Sequence, residues 1–538
     1  MIESPRQTIS LGELSAAAAS RWGDKPALVF DPQDLTLSFA QLDRQSTQLA
    51  HALVRAGIRP GDRVAVMAAN GPVFPIAWLG IAKASAAMVP VNIAYQALDA
   101  RHLLAHAGVR LAICDAERAA LLRQIRRDGL TLECLIVAGA APQVGELAWA
   151  EALAQEGEVP PPPPVCAESL ANVQFTSGTT GLPKGCMLSH AYWTGLGALI
   201  AQDIVGLGPE DVMLTAQPFS YIDPQWNLAA ALSSGATLVV LERFRPSQFW
   251  QKLQQHRASF FYCLGAMPSM LLAQPHRSDE REHRLRVAMC SGIPRERHAE
   301  LEERFGVPWR EVYGTTETGA DIMVHPSDAA RLRGCGSIGH PLPHREARIA
   351  DADGRPLPRG LPGELQVRGI GMMDGYFGNE AATAAAFSGG WYRTGDLARM
   401  DERGAIAIVG RLKDMVRRSG ENISASEVEH AIEAHPGVLI SAVTGVADEV
   451  RGEEIQAYVV LKPGHAPVTL AELARHVGGQ LARFKVPRYW VLCSDLPRTP
   501  SERVAKPQLR ADADYCIERF DREADALGHA QLRQHAQP

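Results

Sequence analysis

Phe175-Thr176-Ser177-Gly178-Thr179-Thr180-Gly181-Leu182-Pro183-Lys184-Gly185 is the most informative run in this chain of 538 residues. From Thr176 onward it gathers glycines and hydroxyl side chains and places one lysine near its end. Glycines let backbone N–H groups come close to a phosphate. Hydroxyls add donors, and the lysine adds a mobile positive charge. Just beyond, Ser189 is placed to cap a helix. The run is not a Walker A loop, because the spacing Gly-x4-Gly-Lys-Ser/Thr is absent. On composition alone, an unliganded surface loop would fit it as well.

Working outward, the flanking segments read as alternating strands and helices. Val64-Ala65-Val66, Val89-Pro90-Val91, Leu111-Ala112-Ile113-Cys114 and Leu135-Ile136-Val137-Ala138 are short buried strands in pattern, and Phe39 to Arg55 carries helical spacing. Past the loop, Leu238-Val239-Val240-Leu241, Phe260-Phe261-Tyr262-Cys263 and Arg286-Val287-Ala288-Met289 repeat the strand pattern. Strands separated by helices predict parallel βαβ units. Pro160 to Pro164 reads as a stiff spacer. From about Arg345 the turns crowd together (Asp353-Gly354, Leu361-Pro362-Gly363, Glu402-Arg403-Gly404), which predicts a smaller antiparallel β unit. Another α/β segment follows Gly410, and the charged last residues predict a loose helical extension. The fold class is therefore α/β: a large N-terminal domain (1–412) of βαβ subdomains plus a small β unit, a small mobile α+β C-terminal domain (413–512), and a charged tail (513–538).

Composition sets the outer bounds. Hydrophobic residues make up 46% and charged residues 21%, with 54 basic against 60 acidic side chains and a net charge of -6. A chain of this length and balance is neither collagen, nor a disordered tail protein, nor a small disulfide scaffold. The net negative charge argues against nucleic acid as a partner. Cys114, Cys134, Cys166, Cys186, Cys263, Cys290, Cys335, Cys493 and Cys516 include no CxxC pair, so no zinc site or redox dithiol is signalled and a reducing, cytoplasmic setting is expected. Met1-Ile2-Glu3-Ser4-Pro5 has no signal-peptide pattern. The longest apolar stretch, Val73 to Val91, is broken by Lys83, Ser85 and Pro90; it predicts a buried helix entering a strand, with no integral membrane span.

The loop resembles the signature of the adenylate-forming superfamily, which includes acyl-CoA synthetases, adenylation domains of peptide synthetases and beetle luciferases. Further motifs recur in the family's order: Ser291-Gly292-Ile293-Pro294, Tyr313-Gly314-Thr315-Thr316-Glu317-Thr318, Trp391-Tyr392-Arg393-Thr394-Gly395-Asp396, Gly410-Arg411-Leu412-Lys413-Asp414, and Ser419-Gly420-Glu421-Asn422-Ile423-Ser424 with Glu427-Val428-Glu429. The resemblance extends from Ala27 to Arg510. It implies that Thr176, Ser177, Gly178, Thr179, Thr180, Gly181 and Lys184 hold the β- and γ-phosphates of ATP, and that Gly292, Ile293 and Pro294 contact adenine. It further implies adenine and magnesium contacts from Tyr313, Gly314, Thr315, Thr316 and Glu317, with Glu317 as the Mg2+ ligand. Asp396 would take the ribose hydroxyls and Arg411 would assist at the ribose or phosphate. Lys413 would be the hinge residue, and Gly420 and Glu421 would face the site while coenzyme A reacts. Joining a carboxylate to the α-phosphate brings two anions together, so such catalysis is mostly charge neutralisation and alignment.

Two departures stand out. The family usually ends with Pro-x-Thr-x-x-Gly-Lys, whose lysine bridges the carboxylate and the α-phosphate. Here Pro497-Arg498-Thr499-Pro500-Ser501-Glu502-Arg503 puts Arg503 in that place, with Lys506 as a reserve cation. Many acyl-CoA synthetases have histidine where Tyr221 stands. Tyr221, Asp223 and Trp226 then suggest an acid pocket with polar and aromatic features, as in carnitine-type ligases, or a core aromatic cluster. Gly334-Cys335-Gly336-Ser337-Ile338-Gly339 fits GxGxxG but follows a polar, basic segment, so it is not read as a dinucleotide site. The leading expectation is an acid–thiol ligase that uses ATP, Mg2+, coenzyme A and a carboxylic acid. A carrier-protein-loading adenylation enzyme, a luciferase-like oxygenase and a silent nucleotide-binding protein remain as rivals, and a homodimer is left open.

Overall fold

The computed structural model describes residues 9–154, 165–176, 183–264, 267–418, 421–448, 451–464, 468–498, 504–509 and 516–524. The Pro160–Pro164 spacer, Ser177, Gly178, Thr179, Thr180, Gly181, Gly420 and Arg503 lie outside the described residues, and Lys413 and Glu421 are described by their backbone alone.

Two large sheets carry the N-terminal part. In one, Leu170–Thr176, Ala87–Pro90, Arg63–Met67, Leu111–Asp115, Cys134–Ala138 and Glu146–Ala148 run parallel, as the alternating pattern predicts. The other has a parallel half containing Trp309–Tyr313, Val287–Ser291, Phe260–Leu264, Val212–Thr215, Thr237–Val240 and Pro26–Phe30. Helices Val73–Lys83, His190–Leu199 and Ile222–Ser234 join both sheets into one core with Val64, Met88, Leu238 and Phe260. Trp78 and Trp193 are fully buried there and meet edge-on at 5.1 Å. The Trp78 indole N–H donates to Asn172 Oδ1 at 2.8 Å, so that ring is buried with its donor satisfied, whereas the buried Trp193 indole N–H has no partner among the described residues. Val73–Lys83 is buried almost all round and leads into Ala87–Pro90, as expected from its apolar run. Among the described residues no helix is long and apolar enough to cross a membrane.

The antiparallel unit expected after Arg345 is present as Arg345–Ala350, Gly363–Gly369, Trp391–Met400 and Ile406–Arg411. It does not stand apart. Ser337–Pro341 and Ile322–Met323 join it edge to edge to Trp309–Tyr313, making one continuous sheet with the parallel half. Gly334 to Gly339 runs from the short helix Ala329–Leu332 into a strand, the reverse of the strand–turn–helix order of a dinucleotide site.

A turn at Leu412–Asp414, containing Lys413, links that sheet to a third one. The third sheet is built from Met415–Arg418, Glu421–Ser424, Val438–Asp448, Gly452–Leu461, Tyr489–Cys493 and Cys516–Asp521, and helices Ala425–Glu433 and Leu470–Gly478 pack into its core. Both helices begin on a side-chain cap, Ser424 and Thr469 respectively. The helical extension expected for the C-terminus is corrected at Cys516–Asp521, which is a strand antiparallel to Tyr489–Cys493. Phe520 packs on the small core and Arg488 pairs with Asp521, so a charged edge strand covers backbone groups that would otherwise be open.

Candidate active site

The strands on either side of residues 177–182 form an antiparallel pair with Thr176 opposite Lys184. The Thr176 hydroxyl donates to the Lys184 carbonyl at 3.4 Å. Gly185 is required by this close approach, since a Cβ there would lie 2.6 Å from Val173 Cγ1. Lys184 is thereby held at the loop's edge, and its Nζ stands 4.9 Å from the ring centre of Tyr376. Tyr376 belongs to the two-residue strand Gly375–Tyr376, which pairs with Lys184–Ser189. Its hydroxyl donates to Glu317 Oε1 at 3.0 Å. Burial, and then the negative charge of Glu317, push the Tyr376 phenol well above its ordinary value and keep it a donor. Lys184 and Glu317, predicted from separate motifs, thus meet through a tyrosine that the motif reading did not single out. Ser189 caps His190–Leu199 as expected, accepting from the Tyr192 N–H.

Glu317 sits on a tight excursion after the strand Trp309–Tyr313. The Gly319 N–H donates to the Thr315 carbonyl at 2.8 Å, the Tyr192 hydroxyl to the Thr316 carbonyl at 3.0 Å, and the Met373 N–H to the Glu317 carbonyl at 2.8 Å. Gly314 lies against the far side of the same turn. Thr315 and Thr318 share a hydroxyl–hydroxyl contact at 3.0 Å.

Asp396 is buried at the other end of this strand system. The Tyr313 hydroxyl donates to its Oδ2 at 2.6 Å and Arg411 Nε donates to its Oδ1 at 2.9 Å. Register explains the second contact, because Asp396 and Arg411 face each other across adjacent antiparallel strands. Each carboxylate oxygen keeps a further lone pair for a hydroxyl donor. Burial works against the Arg411 charge, but the negative charges of Asp396 and Asp414, the Tyr313 phenol and the hydrogen bond to Asp396 together outweigh it and raise the guanidinium pKa.

Ser291 ends the strand Val287–Ser291 and Gly292, Ile293 and Pro294 follow it, with Gly292 at a positive φ of 102°. The Glu311 carboxylate holds this turn by accepting the N–H groups of Gly292 at 2.5 Å and Ile293 at 2.9 Å. Glu311 also escaped the sequence reading. The signal was present, since residues 309, 311 and 313 share one face of a strand and Glu311 therefore stands beside Tyr313. Burial pushes the Glu311 carboxyl up to about 7. Between its ordinary value and that pH, the folded chain keeps a proton that the unfolded chain has released. The folding stability owed to this group is therefore present at low pH and lost as pH rises through about 7. Thermal melts of wild type and Glu311→Gln from pH 4 to 8 are expected to differ most in slope across that window, with the variant flatter.

The three residues assigned to the acid side lie together at the start of Ile222–Ser234. Asn92 Nδ2 donates to the Tyr221 hydroxyl at 3.0 Å, and the Trp226 indole N–H donates to Asp223 Oδ1 at 3.3 Å. Asp223 and Trp226 are buried. The Trp226 ring meets Tyr262 edge-on at 5.2 Å, and the Tyr262 hydroxyl donates to Ser291 Oγ at 2.8 Å. One chain of contacts therefore runs from Asp223 to the Ser291–Pro294 turn. Lys506 lies elsewhere, with its Nζ 2.8 Å from Glu429 Oε1 and 3.8 Å from Asp414 Oδ2.

Comparison with known proteins places this geometry. Residues 15–377 match the family described as AMP-binding enzyme, and residues 427–503 match the AMP-binding enzyme C-terminal domain. The chain is 34% identical over 506 residues to a crotonobetaine/carnitine–CoA ligase of Salmonella heidelberg, covering 91% of this chain and 97% of the relative. It is 34% identical to a sulfoacetate–CoA ligase of Cupriavidus necator, covering 93% and 97%. Among solved structures, ATP-bound MatB from Rhodopseudomonas palustris superposes with a TM-score of 0.82 at 29% identity, covering 94% of this chain and 99% of that one. With a family match over more than half its length, and with relatives aligned nearly end to end, the chain belongs to the AMP-binding enzymes, within the adenylate-forming superfamily of acyl-CoA ligases.

Proposed function

We propose that the chain activates a short, polar carboxylic acid with ATP and passes the acyl group to coenzyme A. A carboxylate oxygen attacks the α-phosphorus, the bond to the β-phosphate breaks, and pyrophosphate leaves. The coenzyme A sulfur then attacks the acyl carbon and AMP departs. The observation that carries this reading is the gathering of Lys184, Tyr376 and Glu317 at one end of the Tyr313–Thr318 motif, with Asp396, Tyr313 and Arg411 at the other. Lys184 supplies a cation beside the phosphate loop. Asp396 offers remaining lone pairs to the ribose hydroxyls. Tyr313 and Arg411 fix the carboxylate that does so.

A divalent magnesium ion fits this set. Glu317 provides a hard carboxylate whose Oε1 is oriented by Tyr376, and magnesium leans on one or two carboxylates together with substrate phosphates and water. When bound, the ion would offset phosphate charge. Lys413, in the turn between the second and third sheets, is the proposed hinge, so that the domain after it reorients between the two half-reactions.

The acid is proposed to carry a cationic, betaine-type headgroup, held by the buried Asp223 carboxylate and the faces of Trp226 and Tyr262. A relative that acts on crotonobetaine or carnitine supports this choice. The experiment is carboxylate-dependent ATP–pyrophosphate exchange and AMP release with betaine-type, sulfonated, plain short-chain and long-chain acids. Betaines are expected to lead, and Asp223→Asn is expected to lower kcat/KM for them about tenfold while sparing plain short acids. Equal loss on both, or no preference in wild type, would overturn the headgroup assignment. Exchange that ignores every acid would overturn the ligase itself.

A further inference from the structure

Beneath the Glu317 turn lies an ion pair that none of the motifs contains. Arg345 and Asp321 are both buried, with side chains 1% and 0% exposed, and Arg345 Nε donates to Asp321 Oδ1 at 2.6 Å. The other arms of the guanidinium reach main-chain oxygens. One terminal nitrogen donates to the Ile370 carbonyl, and the second to the carbonyls of Thr318 and, at 3.2 Å, Gly371. Asp321 returns the contact by accepting from the Thr318 hydroxyl. Gly369 packs so closely that a Cβ there would lie 2.8 Å from an Arg345 terminal nitrogen.

These contacts join two segments. Thr318 follows Glu317 directly. Ile370 and Gly371 lead into Met373, whose N–H donates to the Glu317 carbonyl, and on to Tyr376, whose hydroxyl donates to the Glu317 carboxylate. We propose that Arg345 is a positioning residue for adenylate formation: its guanidinium pins the Glu317 segment to the Tyr376 segment and so sets where the Glu317 carboxylate points. This rests on the ligase reading above. A planar fork with five donors suits the task, and the ammonium of lysine would satisfy fewer carbonyls in a less fixed geometry.

Removing Arg345 alone would strand a buried charge and confuse folding with function. The informative variant is the double substitution Asp321→Leu with Arg345→Met, which removes both charges, because well-packed apolar replacements of a buried pair are often tolerated. It is expected to melt within a few degrees of wild type and to bind AMP, by calorimetry, within about threefold of wild type. Its kcat for carboxylate-dependent ATP–pyrophosphate exchange is expected to fall about a hundredfold, the cost of small misplacements of reacting groups. Arg345→Lys, which keeps the pair but loses the fork, is expected to fall between the two in kcat, with a melting temperature lowered by a few degrees because buried carbonyls lose donors. A folded double variant with wild-type kcat overturns the proposal. Should the double variant not fold, Arg345→Lys decides: wild-type kcat overturns the role and a selective loss of kcat sustains it. Wild-type protein that shows no acid-dependent exchange would overturn the ligase reading instead.

Discussion

Gly314→Ala is expected to abolish acid-dependent ATP–pyrophosphate exchange and to destabilise the N-terminal part of the chain by about 3 kcal/mol or more, the upper range for overpacking. The cause is steric. A Cβ at Gly314 would lie 1.8 Å from the Gly319 carbonyl oxygen, 2.9 Å from the Gly319 carbonyl carbon and 3.1 Å from Ala320 Cα, so main chain would have to move rather than a side-chain tip. What would move is the turn that carries Glu317, closed by the Gly319 N–H to the Thr315 carbonyl and tied back by the Asp321 N–H to the Tyr313 carbonyl. The same shift would drag Tyr313 away from Asp396, 2.6 Å from its hydroxyl, so both ends of the motif suffer together. Exchange kinetics with a thermal melt check this. An alanine variant that melts normally and keeps wild-type exchange would show that the turn opens at little cost.

The second large effect is expected at Arg503. Arg503→Ala is expected to lower the adenylation rate by about 100-fold to 1,000-fold, the usual cost of removing one preorganised group that stabilises developing negative charge. Turnover of preformed acyl adenylate with coenzyme A is expected to stay near wild type. Lys506→Ala is expected to do the opposite, changing adenylation little. In the structure the Lys506 ammonium is already engaged by Glu429 at 2.8 Å, with Asp414 at 3.8 Å, and Glu429 also accepts the Val443 N–H at 2.7 Å. Its loss should cost the small domain roughly 1 kcal/mol, as for a partly exposed pair. The two half-reactions, measured separately in both variants, decide. Adenylation lost in Lys506→Ala and kept in Arg503→Ala would transfer the role to Lys506.

The elements that were legible in the sequence are those set by local pattern. Continuous apolar runs such as Leu111 to Cys114 and Phe260 to Cys263 became parallel strands because both faces of each sheet are covered. Ser189 caps its helix as its position suggests. The motifs also placed Lys184, Glu317, Asp396 and Arg411 in two groups that the fold does bring together. Groups whose partners are distant in the chain were not legible. Tyr376 matters because a two-residue strand pairs it beside Lys184, Glu311 because it reaches the Gly292 N–H, and Arg345 because three carbonyls converge on it. Nothing within a few residues of Tyr376 or Arg345 announces that use, and for Glu311 the only local signal is its place on the strand face it shares with Tyr313. Cys516–Asp521 was missed for a related reason: it becomes a strand because Tyr489–Cys493 presents an open edge, and its own charged composition argues otherwise.

The Tyr376 hydroxyl bond to Glu317 has a wider meaning. Tyr376 and Lys184 hang from the sheet that contains Arg63–Met67, whereas Glu317 and Asp396 hang from the one that contains Val287–Ser291. Nucleotide would therefore act as a rivet through two plates, gripping well only when both have closed on the shared helices. Its affinity then becomes a gauge of long-range assembly, and the living cell's ATP supply would guard the whole N-terminal half against opening at that seam.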